Sequence, residues 1–187
     1  AIALATTAVT AISAPALATM EEPIRALYLT DYNGFWHKYA KQTDTFKAEL
    51  AQYANIDLTV VGKKQGDTLD TMNTQNFSNG YDVIVYNFCL PENNDYDMIH
   101  NAISQTRVNG IPAVFIHCAM HTYRKDPSGE WEKLTGIHSV RHGPHFPYVV
   151  RKLRDHPILT AMPAEWETPK GELYHTKAIK NTTPLCE

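Results

Sequence analysis

Cysteine is scarce here: among 187 residues there are three, Cys89, Cys118 and Cys186, and no two are spaced CxxC. That excludes a disulfide scaffold and a structural zinc finger, and leaves either one disulfide with a free thiol or no disulfide at all. Basic runs are missing as well. Lys and Arg number 17 against 20 Asp and Glu, a net charge of −3 with no basic stripe, so nucleic acid is not an expected partner. No internal repeat, low-complexity linker or HExxH motif occurs. A strongly apolar run long enough to span a membrane is also lacking. The first eighteen residues, AIALATTAVTAISAPALA, carry no charge but are Ala/Thr-rich and only weakly hydrophobic. They close on Ala16-Leu17-Ala18, a small-x-small pattern suited to signal peptidase. The expectation is a secretory signal over 1–18, itself without its charged start, and a periplasmic or secreted protein with no stable membrane insertion once it is cut.

What the chain does have is histidine, nine in all, and alternating strand and helix signals. IRALYLT, IDLTVVG, YDVIVYNF and IPAVFIH read as strands, with YDVIVYNF nearly continuous in apolar residues, as in a strand covered on both faces. TDTFKAELAQYAN and YDMIHNAISQTRVNG carry helical spacing, the second closed by Gly110, and the polar stretch between Lys63 and Gly80 reads as a connection with one helical turn. PYVVRKL and ELYHTKAI are later strand candidates around a proline-punctuated segment. The alternation predicts βαβ units, hence an α/β domain over 19–187 with a parallel sheet between helices. Ligands of such sheets gather at the carboxyl ends of the strands. That rule brings together the loops DYNGFWH, CLPENND and HCAMHTYR.

Those loops hold the candidate chemistry. His117 ends a strand and is followed by small Cys118 and Ala119, the composition a tight strand-to-helix elbow needs. An imidazole there can serve as base, acid or ligand. His117 and His121 are spaced i, i+4, so a helix starting at the elbow would put both on one face, suited to a single metal such as zinc. A third ligand could come from His142 or His145, which flank a Gly-Pro turn in VRHGPHFP, or from His37. Cys118 is a rival nucleophile, or a small packing residue. Trp36, Tyr32 and Tyr123 suit stacking on a sugar, and Arg124 and Arg141 suit an oxygen-rich ligand, while Asn33 reads as a turn residue beside them. Glu172 and Tyr174 in GELYH open a late strand, with Glu172 a candidate acid, base or ligand anchor.

IHCAMHTYR, RHGPHFPYVV, DHPIL, MPAEW and GELYH, in this order and after RALYLTDYNGFWH, resemble the trehalose-utilisation (ThuA-like) family over roughly Ile24 to Ile179. The resemblance implies a flavodoxin-like three-layer sandwich with a mainly parallel sheet, related in fold to class I glutamine amidotransferases. Laid on their Gly-x-Cys-x-Gly elbow, Phe115-Ile116-His117-Cys118-Ala119 puts His117 in the nucleophile slot and Cys118 one residue late. That argues against a glutaminase. The resemblance further implies carbohydrate metabolism: a small-molecule (keto-)glycoside or disaccharide as partner, and an isomerase, lyase or hydrolase using histidine acid–base chemistry with or without a divalent metal. The catalytic set expected is His117, His121, His37 and His142, with Trp36, Asn33, Tyr123, Arg124 and Glu172 on substrate and His117, His121 and His142 on any metal. The alternative is a non-catalytic carbohydrate-binding domain on the same scaffold. Relatives continue past the ELY strand, so the domain is expected to be incomplete at its C-terminal end. Oligomeric state is left open.

Overall fold

A computed structural model describes residues 22–32, 34–178 and 181–187; the expected signal segment and Asn33 lie outside them. Strand β1 (Ile24–Thr30) leads into helix α1 (Tyr39–Tyr53), followed by β2 (Ile56–Val61), α2 (Asp67–Asn73), β3 (Val83–Asn87), α3 (Tyr96–Arg107) and β4 (Ala113–Phe115). The four strands form one parallel sheet in the order β2-β1-β3-β4. This is the expected α/β architecture with a flavodoxin-like arrangement of helices.

Strand periodicity explains how both faces are covered. Successive side chains of β1 point to opposite sides. Leu27 and Leu29 join Met72 of α2 and Met98, Ile99, Ala102 and Ile103 of α3 in the main core. Tyr28, one residue out of phase, meets Phe46 of α1 at a ring separation of 5.0 Å. That second face is more polar, with Asn87 donating to Gln42 at 3.2 Å. The apolar stripe of α3 follows from its spacing, and its start is capped by Asp95, which accepts from the Met98 amide at 3.2 Å.

The segment read as a connection with one helical turn is a seven-residue helix, α2. Two positions, Thr68 and Met72, are enough to anchor it. Thr68 donates its hydroxyl to the Thr30 carbonyl, which also fixes the close approach of Gly62. A Cβ at Gly62 would lie 1.8 Å from the Thr30 oxygen, and its φ of +105° is open only to glycine.

After α4 (Glu130–Thr135) the chain leaves the parallel sheet. β5 (Ile137–Phe146) pairs antiparallel with β8 (Gly171–Ala178), and β6 (Val149–Arg151) with β7 (Glu165–Glu167). Here the expectation from sequence is corrected: Gly143-Pro144 is not a turn but lies within the ten-residue β5. Its glycine and proline are absorbed as irregularity within the strand rather than as a chain reversal.

Because β1, β3 and β4 are parallel, their carboxyl ends share one side of the sheet. The chain runs from β1 outward to β2 and then returns to β3 on the other side. The loops after β1 and β3 therefore leave a crevice at a topological switch point, where open α/β sheets bind ligands.

Candidate functional site

The elbow is built as its sequence suggests. β4 ends, and a 3-10 turn runs from His117 to Met120. His117 has φ +49°, a left-handed conformation that costs a non-glycine residue about 1–2 kcal/mol. Contacts on either side hold it there. The Ile116 amide donates to the Tyr86 carbonyl at 2.9 Å. The indole of buried Trp131 donates to the Ala119 carbonyl at 2.9 Å. Trp131 stands edge-on to Tyr86, Phe115 and Tyr123, so the aromatic core grips the turn directly.

Cys118 does not offer a thiolate. It is buried and joined to Cys89 in a disulfide that ties the loop after β3 to the elbow, while Cys186 is free. The reading of Cys118 as nucleophile is therefore not supported while that bond is intact.

The centre of the site is Glu172 on β8, its side chain 15% exposed. His117 donates from Nε2 to Oε2 at 3.1 Å, and His145 from Nε2 to Oε1 at 3.0 Å. His142 Nε2 lies 3.7 Å from the same Oε1. The His37 ring stands edge-on to His117 at 4.7 Å, and ligand atoms of His37, His117 and Glu172 all lie within 4.8 Å of one another. Tyr174, two residues beyond Glu172 and on the same strand face, lies against His117, His121 and His142 at ring separations of 4.5, 3.8 and 5.8 Å.

Electrostatics sorts these groups. Burial tends to raise the Glu172 carboxyl, but the His145 hydrogen bond and the neighbouring His142, His117 and His37 outweigh it, so the group is held below its ordinary range and stays ionised. Burial lowers His117, with His37 adding to the effect and Glu172 opposing it. Burial lowers His37 too, against the pull of Glu172. His121 is pushed down to about 4 by burial and by His142, His117 and Arg124, with Glu172 a weaker opposing influence. It is a neutral imidazole at ordinary pH.

His121 is thereby placed differently from its expected role. Its Nε2 is 2.7 Å from the Ser139 hydroxyl, which itself donates to the His175 carbonyl at 3.0 Å, so His121 donates to Ser139. The elbow continues as a 3-10 turn rather than an α-helix, and the i, i+4 spacing does not bring His117 and His121 to one ion. Among the described residues, the sets of three His, Cys, Asp or Glu ligand atoms within 4.8 Å are His37–Cys89–Cys118, His37–His117–Glu172 and His142–His145–Glu172; His121 is in none of them.

One substrate candidate is also corrected. Tyr123 is a core residue, 2% exposed, its hydroxyl directed to the Met72 sulfur at 3.6 Å. Arg124 does line the cleft, positioned by Glu92 at 2.7 Å and the Val140 carbonyl at 3.2 Å. Trp36, 58% exposed, does border the site. With His37, His121, His142, Glu172 and Tyr174 it lines an open cleft of about 300 Å³.

Tyr174 and His145 mattered more than the sequence reading allowed. The alternation in GELYH already puts Glu172 and Tyr174 on one face. His145 is three residues from His142, a spacing that in a regular strand points the two side chains opposite ways.

Comparison with known proteins returns no match to any family model and none among curated proteins. Solved structures do match. A protein from Bacteroides uniformis described as ThuA-like superposes with a TM-score of 0.62 at 20% identity, covering 89% of this chain and 64% of its own. A glutamine amidotransferase from Thermotoga maritima gives a TM-score of 0.55 at 15% identity, covering 88% of this chain and 67% of its own. The fold is amidotransferase-like. This chain thus spans less than two thirds of the ThuA-like protein's length.

Proposed function

We propose that this is a ThuA-like carbohydrate enzyme that moves a proton next to a carbonyl of a (keto-)glycoside or disaccharide. The observation that carries the reading is the Glu172 carboxylate, on the wall of an open cleft, bonded to His117 at the elbow. A carboxylate that accepts from one ring nitrogen fixes the tautomer and steadies the imidazolium that forms when the other nitrogen takes a proton. His117 and Glu172 are therefore the base and its orienting partner, without an attacking serine or cysteine. His37, edge-on to His117, is the second proton-handling group. In such a step the C–H bond α to the carbonyl breaks, its proton goes to the imidazole, and its electron pair enters the enolate. Return of the proton to the adjacent carbon gives an isomer; loss of a β-substituent gives elimination. A divalent cation held by histidine and carboxylate groups of the cleft would supply Lewis-acid stabilisation of the developing negative charge, and the proton transfer between His117 and the sugar does not depend on it.

The elbow histidine and the bonded state of Cys118 support a chemistry other than glutamine hydrolysis. Export to the periplasm or outside the cell stays part of the proposal, supported by the Cys89–Cys118 disulfide, a bond that persists in oxidising compartments.

The test is proton exchange in deuterated water, followed by NMR, on a series of keto-disaccharides and their reduced counterparts. Exchange confined to keto sugars and lowered at least a hundredfold in His117→Ala is the expected result. No exchange with any keto sugar by a folded protein would sink the enzyme reading. The binding-domain alternative draws on exposed Trp36 beside the cleft. It predicts calorimetric sugar affinity that falls in Trp36→Ala and is indifferent to His117→Ala.

A further inference from the structure

We infer that His142, His145 and Glu172 Oε1 form the divalent-metal site of this cleft, leaving Glu172 Oε2, His117 and His37 for proton transfer. The inference rests on the proposed carbohydrate chemistry only for its ligand, not for the site. It replaces the set His117, His121 and His142 expected from sequence.

Strand geometry comes first. In β5, His142 faces Tyr174 of β8 and His145 faces Glu172. Three steps along β5 thus match two along β8, so one extra residue is accommodated at Gly143-Pro144. An extra residue in one strand of an antiparallel pair is a β-bulge, a device that re-aims side chains beside functional sites. Here it brings histidines three apart onto the one carboxylate, which a regular strand would forbid.

The hydrogen bonding of His142 comes next. Its Nδ1 donates to the Gly143 carbonyl at 2.9 Å, which leaves Nε2 as the ring atom near Glu172 Oε1. At 3.7 Å the two atoms are too far apart for a direct hydrogen bond, a gap that an ion between them would close. A metal-binding histidine characteristically gives its other N–H to a backbone carbonyl, the arrangement seen at His142. His117 has no such need, since one proton satisfies its contact with Oε2.

The spacing also fits. With metal–ligand bonds of about 2.0–2.1 Å, tetrahedral ligands stand about 3.3 Å apart. The separations from Oε1 are 3.0 Å to His145 and 3.7 Å to His142. Entry of the ion displaces the proton now shared by His145 Nε2 and Oε1. Two histidines and one carboxylate leave at least one position open, and both imidazoles are substantially exposed, at 40% and 57%. An α-hydroxyketone could fill it through its carbonyl and neighbouring hydroxyl oxygens. The third ligand-spaced set, His37–Cys89–Cys118, is closed by its own disulfide.

The experiment is zinc(II) titration by calorimetry with metal analysis of the full chain, repeated with cobalt(II) to read the visible absorption of a low-symmetry site. The expected result is one ion per chain. Affinity should fall at least tenfold in His145→Asn, His142→Asn and Glu172→Gln, and by less than threefold in His117→Ala and His37→Ala. Near-ultraviolet circular dichroism checks that each variant is folded, and agreement between the two asparagine variants guards against the failure of one. Absence of binding, or a loss that follows His117 and His37 instead, overturns the site. The two proposals fail separately. Zinc bound in this pattern without proton exchange on keto sugars leaves the site and removes the enzyme; exchange that persists with no metal bound does the reverse.

Discussion

His121 shows how much a single side chain's neighbours decide. By spacing it is a ligand; by environment it is a buried, neutral donor stacked on Tyr174 and tied to Ser139. The groups acting on it are His142, His117 and Arg124, which disfavour its charge, and Glu172, which favours it. Its folded pKa of about 4 lies below the ordinary value, so between about 4 and 6.5 the unfolded chain holds a proton that the folded chain lacks. Stability from this group therefore rises with pH across that window and is lost as pH falls through it. Urea midpoints at pH 4.5 and 7 should differ by less in His121→Phe than in the wild type; an unchanged difference would contradict the burial argument. Ser139→Ala leaves the His121 N–H without its partner and should cost about 1–3 kcal/mol at pH 7, read from the same unfolding curves.

At the scale of elements, the bulge in β5 makes a contrast that few strands offer. A Cβ at Gly143 would meet its nearest neighbour, the His175 ring, at an ordinary 3.5 Å, so Gly143→Ala should fold and keep its metal and sugar chemistry. Deleting Gly143 removes the extra residue and turns either His142 or His145 to the opposite face. Zinc affinity should then collapse while far-ultraviolet circular dichroism stays near wild type. Equal behaviour of the two variants would mean that the bulge does not aim the histidines. The elbow makes a parallel case. Trp131→Phe keeps most of the aromatic packing but drops the bond to Ala119, and should lower stability by about 1–2 kcal/mol. If the left-handed His117 needs that restraint, proton exchange should fall further than stability does.

Across the whole molecule, the Cys89–Cys118 bond is the covalent link between two of the loops that frame the cleft, closing a sequence separation of 29 residues. Constraint of the unfolded chain by such a loop contributes roughly 3–4 kcal/mol on the chain-entropy account. A Cys89→Ala/Cys118→Ala pair should shift the urea midpoint accordingly, and reductant should destabilise the wild type but not the pair. The parallel strands, the helices α1 and α3 and the convergence of loops at one end of the sheet were legible from residues alone, because burial on two faces leaves continuous apolar runs and helices leave a 3.6-residue stripe. Glu172 and the histidines were legible as candidates, since few other groups can hold protons or ions. Their grouping was not. The disulfide joins cysteines with no local motif, and Tyr123 fell to the core through contacts with distant chain. The union of His117, His142 and His145 on one carboxylate needs β8 laid against β5 with an extra β5 residue between His142 and His145. Sequence by itself determined which groups are present and which layers the chain forms, since those follow from local periodicity; only the tertiary structure decided which histidines share Glu172, since strand register is a property of two segments at once.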